Sequence, residues 1–255
     1  MATVLSGTSG ALYYAPAGTT ATFGETAVDI ANDELDVATY LNFKVGDPVV
    51  FSVVNTETGA AGSGTLPAGI TAGTTYYVIG YTASTGVLQV SATLGGSTIT
   101  ITDDGTAVAP NAFQVAYAAP AVVGSVHEWS FEITRSEIDV TTIGQTIGQY
   151  APFRSYITGF ADGSGSATIY TTDDDTTLAS RMVEDVIQRT QTGATMKLYI
   201  DRVVSGGSVD ETTSRSVTVP VILTSASLTV NPDDGQSMEI AFRPSAAPTF
   251  DLSKS

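Results

Sequence analysis

The sequence predicts a mainly β, α+β protein, with one α-helix packed on a sheet, interrupted by an inserted small all-β domain. Three observations predict it. Thr, Ser, Gly, Ala and Val dominate the 255 residues, 25 of them glycine, as a chain of short strands and tight turns requires. Only one stretch, Leu178 to Gln188, shows convincing helical periodicity. Composition also shifts between about Ala31 and Tyr117, so that 31–117 reads as an inserted β-rich surface module in a unit formed by 1–30 and 118–255. The length can bury a substantial core and allows one or two domains.

In chain order, Gly10–Tyr14 reads as an opening strand. In the module, Val45-Gly46-Asp47-Pro48 turns into a strand through Val53, and Leu66-Pro67-Ala68-Gly69-Ile70 leads to the strand Thr75–Ile79. Val87–Val90 and Thr98–Ile101 read as two more, separated by Leu94-Gly95-Gly96. The ends of such an insertion are expected to lie close together.

Beyond the module, Trp129, Phe131 and Ile133 alternate with Ser130, Glu132 and Thr134; Met196, Leu198 and Ile200 alternate with Lys197, Tyr199 and Asp201. Val217, Val219 and Val221 form another alternating strand, and its Pro220, lacking a ladder donor, predicts an edge or a bulge. Met238, Ile240 and Phe242 oppose Glu239, Ala241 and Arg243 after the turn Asn231-Pro232-Asp233-Asp234-Gly235. The segment from Arg135 to Tyr156 carries Gly144 and Gly148, ends in Ala151-Pro152-Phe153, and does not read as a regular element. At about twenty residues it exceeds the usual connection inside a compact domain.

The helix has its own logic. Asp173-Asp174-Asp175 offers acceptors and negative charge to the unpaired N–H groups of a first turn. Leu178, Met182, Val183, Val186 and Ile187 fall on one half of the wheel, Ser180, Arg181, Glu184 and Gln188 on the other, and Gly193 stops it. A single apolar face predicts a helix laid against a sheet.

Charge and chemistry exclude several classes. With 26 acids against 10 bases the net charge is -16, which repels a phosphate backbone and argues against tight nucleic-acid binding. Residues 31–117 hold seven of the acids and one base, so the rest carries -10. Zero cysteines removes disulfides, thiolate metal sites and a cysteine nucleophile. The first residues have no signal-peptide pattern and no stretch approaches a membrane span, so a cytosol-like space without a membrane anchor is expected. The single histidine, His127, has no second histidine for a metal and no Gly-x-Ser-x-Gly elbow to pair with. The aspartate triplet lacks the spacing of a calcium loop, and Gly163-Ser164-Gly165 lacks the lysine of a phosphate loop. No enzyme, cofactor or metal is expected.

The order Glu128–Thr134, Ile138–Gly144, Phe160–Ala167, one helix and Met196–Ile200 resembles the tail tube (major tail) proteins of long-tailed bacteriophages. There a Trp-containing strand leads into a loop with an acidic-x-Thr element, then a Gly/Ser-rich turn and strand, a helix and closing strands. The resemblance covers about half the chain. It implies a tail-tube-like β-sandwich or barrel, self-assembly into hexameric rings and stacked tubes, and a tail conduit through which DNA is ejected without specific binding. It also implies contacts with other tail proteins (tape measure, tail terminator, baseplate or tail tip, possibly sheath) and a place in the virion, assembled in the host cytoplasm. The loop would reach neighbouring subunits through Ile138, Asp139, Val140, Thr141, Ile143, Ile147, Tyr150 and Phe153, unless it folds back on its own domain. Glu132 and Glu239 become candidates for the inner wall, although acidity also serves solubility. The stretch from Gly46-Asp47 through Leu66-Pro67 and Thr75-Tyr76-Tyr77-Val78 to Leu94-Gly95-Gly96 resembles a small β module of phage tail and fibre proteins. The alternative reading is a carbohydrate-binding tail-fibre or adhesin-type module.

Overall fold

The computed structural model describes residues 9–141, 154–170, 178–188, 193–230 and 236–253. The chain runs through β1 (Ala11–Ala15), β2 (Thr20–Phe23), a 3-10 turn (Glu25–Ala27), β3 (Val28–Asp29), β4 (Glu34–Asp36), β5 (Pro48–Asn55), β6 (Thr75–Thr82), β7 (Val87–Ser91) and β8 (Asn111–Tyr117). It continues with β9 (Ala121–Val122), β10 (Ser125–Asp139), β11 (Tyr156–Tyr170), α1 (Leu178–Ile187), β12 (Thr195–Asp201), β13 (Val204–Ser205) and β14 (Ser208–Val209). The last elements are β15 (Arg215–Thr229), β16 (Ser237–Pro244) and β17 (Thr249–Asp251). The fold is mainly β with one α-helix among the described residues, as composition predicted.

An eight-stranded sheet has the order β10-β11-β16-β15-β12-β1-β9, with β17 also on β15. The 15-residue β15 changes neighbours along its length: Arg215 to Pro220 face β12, and Val221 to Thr229 face β16. Leu12, Tyr14, Met196 and Leu198 from one half and Ala167, Ile169, Met238, Ile240 and Phe242 from the other enter one buried cluster with Leu178 and Met182 of the helix. A ten-residue helix cannot cover eight strands, so the sheet must curl over this core. Pro220 therefore sits in a central strand rather than at an edge. Val221 N–H donates to Ala194 C=O (3.0 Å), so the missing Pro220 donor points the other way, between the ends of β17 and β16, where Ser245 N–H reaches its carbonyl (2.8 Å). The bulge in this strand lies nearby, between Leu223 and Ser225.

The second sheet has the order β2-β8-β5-β6-β7-β4-β3. Its outermost strands are joined by only the residues between Phe23 and Val28, which reach at most about 17 Å, whereas seven strands laid flat would separate them by about 29 Å. The sheet has to roll into a barrel. Phe23, Phe51, Tyr76 and Phe113 fill it, their rings meeting at centroid distances of 5.5 to 6.4 Å, with Leu35, Val49, Val78, Leu88 and Val115 around them. Because β2 and β3 belong to this barrel, its first boundary falls at Thr20, upstream of the expected Ala31. Thr98–Ile101 is not the expected strand: it makes a single bridge, Ser91 to Thr98, and buried Ile101 is held by its N–H on Asp33 Oδ1 (2.7 Å).

The helix departs most from its wheel. Leu178 and Met182 are buried as expected, but Ile187 is 86% exposed and Arg181 only 2%. Arg181 and the neighbouring Asp185 turn inward against the barrel, while Ser180 and Glu184 of the polar face stay exposed. Asp185 accepts from Tyr14 Oη (2.6 Å), Ala17 N–H (3.0 Å) and Asn42 Nδ2. Arg181 donates to Asp47 Oδ1 and to the Asn42 carbonyl, and Asp47 also accepts from Lys44 N–H (2.9 Å). Burial pushes the Asp185 carboxyl up from its ordinary value, and burial beside Asp47 carries the Tyr117 phenol up to about 12. The expected Asp173-Asp174-Asp175 cap and the Asn231–Gly235 turn lie outside the described residues.

Candidate functional site

The described ends of the segment expected to be an irregular loop, Arg135–Asp139 and Tyr156, belong to a long β-ribbon. β10 and β11 pair from Ser125–Tyr170 out to Asp139–Tyr156. β16 backs β11 only from Gly165 to Tyr170, so the outer nine residues of β11, Tyr156 to Ser164, form a two-stranded arm about 25 Å long. Near its described tip, Val140 N–H donates to Ser155 C=O, and Ser155 N–H to Thr141 Oγ1 (both 2.9 Å). Asp139 Oδ1 accepts the Thr141 N–H (2.9 Å), and Arg154 approaches its carboxylate at 3.6 Å. Hydrogen bonds from Thr141 hold the Asp139 carboxyl below its usual range. The acidic-x-Thr element thus fastens the arm's pairing through local polar chemistry.

Ile138, Asp139, Val140 and Thr141 are all exposed, with Ile157 opposite Ile138. Ile143, Ile147, Tyr150 and Phe153 lie outside the described residues. Sequence reasoning passed over Ile133, Tyr156, Ile157 and Phe160, which are exposed on the same arm. Phe160 stands out at 92% exposure. Between the pairs Arg135–Ala161 and Glu137–Thr158 the ladder slips by a residue, so Gly159 and Phe160 together oppose Ser136. Arg135 Nε and Ser136 Oγ hydrogen-bond to the Gly159 and Phe160 carbonyls (3.2 and 3.3 Å). Such a bulge re-aims a side chain, and the bulge has no sequence signal beyond the glycine.

Glu132 and Glu239 both lie exposed on the outer face of the curled sheet. Glu132 is opposite Ser164, and Glu239 opposite Thr168, which in turn is opposite Glu128. Four residues and two strand spacings put the two glutamates roughly 16 Å apart, so they do not form a working pair. Glu128 joins them on this face, and Ser130 and Ser166 hydroxyls meet across it at 3.0 Å. On the inner face Phe242 stacks near Phe131 (6.1 Å) and lies over Gly165, where a Cβ would come within 2.3 Å of its ring.

His127 is exposed, its ring 5.1 Å from that of Tyr170. Among the described residues no three His, Asp or Glu side chains cluster as metal ligands, and no helix is long and apolar enough to cross a membrane.

No protein-family model matches the sequence, and no curated protein matches it. Among solved structures it is similar to a chain in the virion of the native gene transfer agent particle, with 15% identity over 52% of this chain and 89% of that one, at a TM-score of 0.39. It is also similar to a chain in the tail of the empty gene transfer agent particle with C6 symmetry (16% identity, 52% of this chain, 87% of that one, TM-score 0.37). A third is the SPP1 tail tube (11% identity, 53% of this chain, 70% of that one, TM-score 0.32).

Proposed function

We propose that this chain is a structural subunit of a bacteriophage tail tube, polymerising through hexameric rings into a stacked conduit for DNA in the virion. The observation that carries the reading is the β10–β11 arm: a ribbon of about 25 Å with Ile138, Val140, Tyr156, Ile157 and Phe160 in solvent has no use within one copy. A monomer gains nothing from exposing so many large apolar side chains on one element, whereas a neighbouring subunit removes them from water. The edge strand β10, paired among the described residues on its β11 side alone, supplies unpaired backbone groups to the same neighbour.

In this reading the outer sheet face with Glu128, Glu132 and Glu239 lines the passage and repels phosphate. The barrel decorates the outside, and tape measure, terminator, tip or baseplate and, in a contractile tail, sheath proteins meet the tube at its ends or wall. Negative-stain microscopy of the concentrated full chain, over a salt series, is the test. Rings or tubes are expected, with assembly favoured as salt screens the copies' like charge. A protein that light scattering finds monomeric at every salt and concentration sinks the proposal.

A further inference from the structure

Beside the base of the arm is an apolar hollow of about 370 Å³, lined by Ile133, Ala161, Gly163, Pro244, Ala247 and Pro248. On its rim Asp162 and Arg243 approach at 3.5 Å, both exposed. The hollow exceeds the roughly 150 Å³ that suffices for a benzene ring. Prolines and a glycine wall it, residues with no mobile side chain to fill it from within. Gly163 keeps it open: a Cβ there would come within 2.9 Å of Pro244 Cγ.

The same arm carries an aromatic side chain with nothing to pack on. The bulge turns Phe160 outward, and at 92% exposure it does not enter the hollow of its own chain, although its neighbour Ala161 lines that hollow. Among the described residues this knob and this hole each go unfilled within the copy. We infer that Phe160 of one copy seats in the Ile133–Pro248 hollow of the next, forming a head-to-tail contact. Because donor and acceptor are different patches, the contact repeats from copy to copy and does not close at two. The Asp162–Arg243 pair rims an apolar centre, an arrangement that excludes water from a buried anchor. The occupant is a second copy because the chain itself supplies the matching anchor, and the inference rests on the tail tube reading for the contact's repetition.

The chain contains no cysteine, so engineered thiols report without background. In the full-length double variant T158C/A247C, which keeps Phe160 and places both thiols at exposed positions, a short bis-maleimide applied to assembled protein should give a ladder of covalent dimers, trimers and higher species. Each single variant should give none beyond dimers. A product that stops at dimers overturns the inference in favour of a two-fold contact, and a cross-linked monomer overturns it in favour of an internal one. Assemblies visible by microscopy without a ladder also overturn it, while leaving the tail tube reading intact; a wild-type chain that never assembles overturns both. Independently, F160A should raise the concentration needed for assembly by roughly 10- to 100-fold, the gain lost when no phenyl is buried at the contact, and F160W should restore it. Unchanged assembly by F160A counts against the contact.

Discussion

Replacing Asp47 with alanine should damage this protein more than any surface charge change. Arg181 is 2% exposed, its Nη1 on Asp47 Oδ1 and its Nη2 on the Asn42 carbonyl, with Nε unpartnered among the described residues. Without Asp47 the guanidinium is a buried cation holding one carbonyl, and breaking a buried pair on one side costs about 3–5 kcal/mol. At about 2–4 °C per kcal/mol for a chain this long, the melting temperature should fall by about 6–20 °C. Part of that, about 1 kcal/mol, is the lost Lys44 N–H bond to Asp47 Oδ2. The contrast is the double variant Asp47→Leu with Arg181→Met, which removes both charges and should recover most of the loss. Lys44→Ala, which breaks only an exposed pair with Glu184, should cost under about 1 kcal/mol. Thermal and urea unfolding followed by circular dichroism measure all four. A single variant within about 1 kcal/mol of wild type, or a double variant as unstable as the single, refutes the reasoning.

Gly165→Val should destabilise by about 1–3 kcal/mol, because its side chain meets the Phe242 ring and the Ser130 carbonyl; unchanged urea unfolding would show that the ring yields freely. Asp139 should titrate below ordinary aspartates by NMR and move up in Thr141→Ala. Since its folded value is depressed, its contribution to arm order is present above the unfolded value and lost as pH falls through the depressed one, so amide protection at Val140 should drop in acid; pH-independent protection would contradict this. Removing the barrel by linking Thr19 to Ala118 should leave a folded but less stable chain, because Asp185 loses its Asn42 partner, whereas a cut at Ile30 strands β2 and β3 without partners and should aggregate. Equal behaviour of the two truncations would disprove the boundary. Glu132→Lys with Glu239→Lys should make assembled protein retain DNA at low salt and release it at moderate salt; equal, negligible retention by wild type and variant would remove these residues from the passage.

What the sequence revealed follows the range of the forces involved. Period-two alternation placed Trp129 to Thr134, Met196 to Asp201 and Met238 to Arg243 in strands, because side-chain direction is a local property of the backbone. The helix was legible for the same reason. The burial of Arg181 and Asp185 was not, since both are polar by type and their partners Asp47, Asn42 and Tyr14 lie more than 130 residues away in the chain. Nor was the rolling of the barrel, which depends on β2 and β3 being opposite edges. The arm was missed where alternation stops: the bulge at Gly159–Phe160 breaks the period on one strand while the ladder continues past it. Of the candidate interface residues, the described four are exposed on that arm, and the anchor with the greatest exposure, Phe160, was read only as part of a strand.

The barrel leaves and rejoins the curled sheet through two strands that run side by side. Tyr14 lies opposite Ala121 on one side of the junction, and Tyr117 N–H donates to the Thr19 carbonyl (3.0 Å) on the other. A two-stranded ribbon resists stretching but bends readily across its flat face, so by itself this junction is a hinge. The helix adds a third point of attachment off the hinge line, through Arg181 and Asp185 to Asp47 and Asn42. Two points permit swinging and three do not. The angle between barrel and sheet is therefore set by charged side chains on one turn of helix, buried Arg181 and Asp185 with the exposed Lys44–Glu184 pair beside them, and neutralising Arg181, Glu184 and Asp185 together would let the barrel swing while both cores stay intact.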